Sequence, residues 1–129
     1  MSPEGTVRAY YDTLRAGDPL HPFFHESPTT VKFGVGETLS GYEAVAAGLR
    51  EQTATTADWT VASDALVVGS EGDSAWFADR VHMAWTDTEA GVEHEYDTRW
   101  SGSMVREDGE WPFTGMHVSV PARAGEGDR

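Results

Sequence analysis

The chain has 129 residues, 39% hydrophobic and 11% aromatic, with 22 acidic against 9 basic side chains for a formal net charge of −13. That length suits one domain with a real core, and the charge makes nucleic acid and anionic membrane poor partners. The absence of cysteine removes disulfides, thiolate catalysis and cysteine–metal sites. No apolar run approaches the roughly 20 residues of a membrane span, and no basic-then-apolar leader opens the chain, so a cytoplasmic location is expected. A carboxylate-rich surface also suits concentrated salt, where self-repulsion is screened.

Ser2-Pro3-Glu4 reads as a helix start, with a capping serine and a proline at the first helical position. Val7, Tyr10, Tyr11 and Leu14 repeat as an amphipathic stripe, and Gly17 closes the helix. Asp18-Pro19 is expected to start a second, shorter helix. Thr29 to Phe33 reads as a short strand, followed by the turn Gly34-Val35-Gly36. Ser40-Gly41-Tyr42-Glu43 fits a capping box for a third helix carrying Tyr42, Val45, Ala46 and Leu49. From Trp59 onward the period changes to two: Trp59–Val68, Ser74–Trp85, Val92–Val105 and Trp111–Val120 read as four long strands in an antiparallel meander. Helices first and sheet after is the α+β pattern. Residues 1–121 form the expected domain, and 122–129 an expected disordered tail. Apolar residues on both phases of Ala75–Trp85 suggest helices on one side of the sheet and a second copy on the other, a homodimer through the sheet.

The turn in the last hairpin decides which side chains meet. A two-residue Asp108-Gly109 loop pairs Glu107 with Glu110 and sets Trp100 opposite His117. A three-residue loop, Glu107 to Gly109, sets Arg99 opposite His117 and Asp97 opposite Ser119. The three-residue loop is favoured here, because it keeps two glutamates from facing each other. One phase of the second strand then joins Trp111, Phe113, His117 and Ser119 on a single face.

Arg99-Trp100-Ser101-Gly102, Arg106-Glu107-Asp108-Gly109-Glu110-Trp111 and Met116-His117-Val118-Ser119-Val120-Pro121 together resemble the closing hairpin of the SnoaL-like branch of the nuclear transport factor 2-like superfamily. The resemblance implies a cone-shaped, strongly curved antiparallel sheet with about three N-terminal helices on its concave side, commonly dimerised through the sheet. In the ketosteroid isomerases of that superfamily a tyrosine in the place of Tyr10 donates to the developing enolate oxygen, and Ala16-Gly17-Asp18 matches the run that follows it. The isomerase's aspartate base would fall at Phe33 and its protonated acid near Ser101, so two of its three catalytic groups are absent.

The same resemblance implies a cofactor-independent, small-molecule-binding protein. Its expected chemistry is that of an isomerase, cyclase or dehydratase acting on a small apolar carbonyl compound. His117, Arg99 and Tyr10 are the expected catalytic groups. Trp111, Phe113, Ser119, Ser101, Asp97 and Phe33 are expected to line the ligand. The plain alternative for His117 is a histidine satisfied by a neighbour under the helices. A second function class stays open: a non-catalytic ligand-binding or association domain, since the association domain of calcium/calmodulin-dependent kinases shares the same turn and ending. Metal binding is not expected, because His21 and His25 straddle Pro22 and His94 points away from Glu93 and Glu95.

Overall fold

The structure, a computed structural model, describes residues 1–121; the expected tail, residues 122–129, lies outside the described residues. Helix α1 (Pro3–Ala16) starts where the Gly5 amide donates to the Ser2 hydroxyl and stops where Gly17 turns left-handed at φ 73°, so its two caps act as their residue types predict. It buries Val7, Tyr10, Tyr11 and Leu14. The helix expected from Asp18 is only a 3₁₀ turn, His21–Phe23. Pro22 removes a donor there, and the turn serves to set Leu20 and Phe24 into the core.

Strand β1 (Val31–Gly34) reverses through Val35-Gly36 into β2 (Glu37–Ser40). Helix α2 (Tyr42–Thr55) then buries Val45, Ala46 and Leu49. The expected capping box does not form, because Ser40 is held in β2 opposite Val31 and Gly41 takes the cap position without a side-chain bond. The expected strand Trp59–Val68 divides into β3 (Thr56–Ser63) and β4 (Val67–Glu71), both paired with β5 (Ser74–Asp87). Strands β6 (Val92–Val105) and β7 (Phe113–Ser119) complete a seven-stranded sheet of order β2-β1-β7-β6-β5-β3, with β4 also against β5. The class is α+β as expected, with two corrections. Among the described residues there are two α-helices rather than about three, and the sheet is mixed, since β1 runs parallel to β7.

A side chain fills the break between β3 and β4. Asp79, only 5% exposed, accepts hydrogen bonds from the Tyr11 hydroxyl at 2.9 Å, the Ser63 hydroxyl at 2.6 Å and the Ala65 amide at 2.9 Å. A buried carboxylate needs such donors, and here they tie α1 to the broken edge of the sheet.

The hairpin corrects the expected register. Asp108 and Gly109 both have positive φ, 51° and 79°, and Glu107 and Glu110 face each other with backbone bonds of 2.9 Å in both directions. This two-residue turn follows the twist of the strands, and two water-exposed glutamates repel little. Further along, Met104 pairs with Phe113 but Ser103 pairs with Gly115. Thr114 is therefore an extra residue, a β-bulge that flips every later side chain. Trp111, Phe113, Met116 and Val118 all point into the core. His117 faces Ser101, and Ser119 faces Arg99; the expected pairs Arg99–His117 and Asp97–Ser119 do not occur. At the core's centre Phe113 is fully buried among Tyr10, Phe24 and Phe77, with ring centroids 5.4, 5.5 and 5.6 Å away.

Candidate functional site

That register sorts the expected site residues onto two sides of the sheet. Tyr10, Trp111 and Phe113 are buried on the inner side. His117, Arg99, Ser101, Asp97 and Phe33 are exposed on the outer side, with Ser119 half-buried beside them. His117 stands edge-on to Phe33 at 5.8 Å, and His117, Arg99, Ser101 and Ser119 line an open groove of about 430 Å³ with Val67, Ala78 and Arg80. Among the described residues, the side chains of His117, Arg99, Ser101 and Ser119 make no hydrogen bond to one another.

Asp97 instead joins a different outer group. His82 is held by Asp97 at 2.8 Å on Nδ1 and by Glu95 at 2.7 Å on Nε2. Hydrogen bonding to Asp97, then to Glu95, raises the pKa of His82 above its ordinary 6.5. The stabilisation from this pair is fully present below the ordinary imidazole range and is lost as pH rises through the raised pKa. An NMR titration of His82 is expected to show a midpoint above 6.5 that falls in Asp97→Asn; equal midpoints in the two proteins would contradict the assignment.

The inner side holds a smaller but more enclosed cavity of about 370 Å³, between the helices and the sheet. Met83, Trp100 and Val118 form its floor, and Gly48 lets α2 approach Leu39 at its wall. Trp59 and Trp85 stack at one side, 4.8 Å apart and 17° from parallel. Besides Glu51, Gln52, Thr55 and Thr56 at the end of α2, three polar side chains from other elements line this space, Tyr10, Lys32 and Glu37.

Each of the three is placed by its element. Lys32, the chain's only lysine, stands opposite Met116 in the parallel pair β1–β7, which turns it inward, and it is 5% exposed. Its ammonium donates to Glu37 Oε1 at 2.6 Å, across the reversal that brings β2 back along β1. Such a buried ammonium needs a partner. Gly34 makes the pairing fit: a Cβ there would lie 2.6 Å from Glu37 Oε1. Tyr10 comes from the buried stripe of α1, and its hydroxyl has no hydrogen-bond partner among the described residues. Burial, and then the negative charge of Glu37, push its pKa far above the usual phenolic value, so it remains a proton-bearing donor.

The arrangement joins an oxygen base, a hydroxyl donor and a cation in one cavity, which are the parts needed to move a proton beside a carbonyl group. Of the three, Tyr10 is legible as a site residue from the sequence, whereas Lys32 and Glu37 are not. The signal that points to them is the solitary lysine inside a short strand of a strongly acidic chain.

Among the described residues no group of three or more His, Asp or Glu is placed to hold a metal. His94 stacks on Trp85 at 5.0 Å instead. No helix of the described residues is long and apolar enough to cross a membrane.

A curved mixed sheet with two helices enclosing such a cavity is the architecture of the nuclear transport factor 2-like class. The SnoaL-like domain model matches residues 4–123, and the chain belongs to that family. A nuclear transport factor 2-like superfamily protein of Salmonella enterica serovar Typhimurium superposes with a TM-score of 0.82 at 21% identity, over 97% of this chain and 92% of that one. A candidate dehydratase of the same family from Streptomyces avermitilis gives 0.79 at 17% identity, over 92% of both chains. A candidate calcium/calmodulin-dependent protein kinase II association domain from Xanthomonas campestris gives 0.72 at 18% identity, over 89% of this chain and 82% of that one. At these identities the likeness is one of fold. No curated protein matches the sequence.

Proposed function

We propose that this SnoaL-like protein is a cofactor-independent isomerase or lyase for a small, largely apolar carbonyl compound bound in the inner cavity. One observation carries the reading: Tyr10, Lys32 and Glu37 converge in one cavity whose sheet side is lined by Met83, Trp85, Trp100 and Val118. Glu37 moves the proton, the Tyr10 hydroxyl donates to the carbonyl oxygen as charge builds on it, and Lys32 holds the Glu37 carboxylate in place. The outer groove is larger, but its histidine and arginine are exposed to water, where hydrogen bonds to a developing charge are worth less. The exposed Phe33, Val67 and Trp76 of the same sheet face, 39%, 62% and 49% accessible, suit that face to cover a second copy of the chain.

NMR shift mapping with a small cyclic ketone tests the placement. The expected result is perturbation of amides at Lys32, Glu37, Gly48 and Val118. Perturbation confined to Ser101, His117 and Ser119 would move the site to the outer face.

A further inference from the structure

We infer that Lys32 is a nucleophile, forming an imine with the carbonyl carbon of a ligand in the inner cavity. The inference rests on the carbonyl-ligand reading above and adds a covalent step to it.

Lys32 lines the cavity yet is 5% exposed. Its terminal nitrogen is thus offered to a ligand while most bulk water is kept from it. An amine attacks a carbonyl only after giving up a proton. Glu37 Oε1 lies 2.6 Å from that nitrogen, a ready acceptor, and Gly34 keeps the space that the carboxylate occupies.

The step balances with these groups alone. Lys32 Nζ passes a proton to Glu37, and its lone pair forms the C–N bond while the carbonyl π pair moves to oxygen. That oxygen, held by the Tyr10 hydroxyl, takes the proton back from Glu37, giving a carbinolamine. Glu37 then takes one of the two protons left on nitrogen and returns it to the departing oxygen, which leaves as water, and a protonated C=N bond remains. An imine at this position acidifies the neighbouring C–H, so the same Glu37 that shuttles protons in its formation can remove the next one.

The composition makes the test clean. Lys32 is the only lysine, so the terminal α-amino group is the only other primary amine in the chain and serves as an internal reference. The full chain is treated with benzaldehyde and sodium cyanoborohydride, and the benzyl label is located by peptide mass mapping. Lys32 is expected to label faster than the terminal amine. In Glu37→Gln the Lys32 rate should fall about a hundredfold, the usual scale of a lost acid–base group, with the terminal rate unchanged. Gly34→Ala keeps all three side chains but crowds the Glu37 carboxylate, and should lower the Lys32 rate too. Lys32 labelling no faster than the terminal amine in the unaltered protein overturns the inference, as does labelling that ignores both substitutions. A tryptophan-fluorescence titration with benzaldehyde alone separates the two levels. Binding without Lys32 labelling overturns only the imine, whereas no binding at all removes the carbonyl-ligand reading with it.

Discussion

Replacing Asp79 with alanine is expected to cost about 2–4 kcal/mol of folding stability, from hydrogen bonds to one charged group lost together and a buried hydroxyl left without an acceptor. The carboxylate accepts from three donors on three segments, and none of the three donates elsewhere among the described residues. With Asp79 gone, the Tyr11 hydroxyl stays buried without an acceptor, at about 1–3 kcal/mol, and the Ser63 hydroxyl and Ala65 amide lose theirs at the exposed edge. Burial, followed by the charge of Asp79, pushes the Tyr11 pKa upward, so Tyr11 gives its proton to the bond and stays neutral at ordinary pH. Tyr11→Phe removes one donor and leaves the carboxylate with two, so about 1–2 kcal/mol is expected. Urea denaturation followed by circular dichroism measures both. A loss under about 1 kcal/mol for Asp79→Ala would mean that water substitutes for the carboxylate, and that the β3–β4 break is held by something else.

The second large effect is catalytic. Glu37→Gln is expected to lower hydrogen–deuterium exchange alpha to the carbonyl of a bound ketone by about 10²–10⁴-fold. The amide oxygen can still accept from Lys32, so the fold should survive the substitution. Tyr10→Phe should lower the same exchange by removing the donor to the developing oxygen, and by less if Lys32 or water can reach that oxygen. His117→Ala serves as the contrast, because its side chain lies across the sheet from the cavity. NMR of the ketone in deuterated buffer reads the rates. Exchange that ignores Glu37→Gln but is abolished by His117→Ala would place the chemistry on the outer face.

Local signals are legible in this sequence and long-range ones are not. Ser2 and Gly17 mark the ends of α1 because capping is decided by neighbouring residues. Asp108-Gly109 announces a turn for the same reason, but the repulsion between Glu107 and Glu110 that favours a longer loop is weaker than the match of the two-residue turn to strand twist. The bulge at Thr114 leaves no mark. Its neighbours alternate as in any strand, and only the pairing with Ser103 reveals the extra residue. Because that one residue sets the direction of everything after it, plain alternation puts His117 and Ser119 on the face opposite the one they occupy. Strand β2 is short and polar at all but one position, Glu37-Thr38-Leu39-Ser40, and becomes a strand only by lying against β1. The pairing of Lys32 with Glu37 depends on that reversal, so neither residue stands out as a site without the fold. The division of Trp59–Val68 has a similar origin: its cause, Asp79, lies on another strand.

The bulge at Thr114 acts as a parity element. Strand β7 supplies Phe113 to the core and, three residues later, Met116, whereas an unbroken alternation would return to the same face after two or four. Losing Thr114 would therefore not trim the strand but exchange its two sides, bringing His117 and Ser119 toward the cavity and sending Met116 and Val118 outward. In this fold a single insertion or deletion at one point can thus trade a water-facing histidine for a cavity-facing one without changing any other residue. Cavity chemistry and outer-surface chemistry are drawn from one stretch of chain, and the count of residues before it decides which is which.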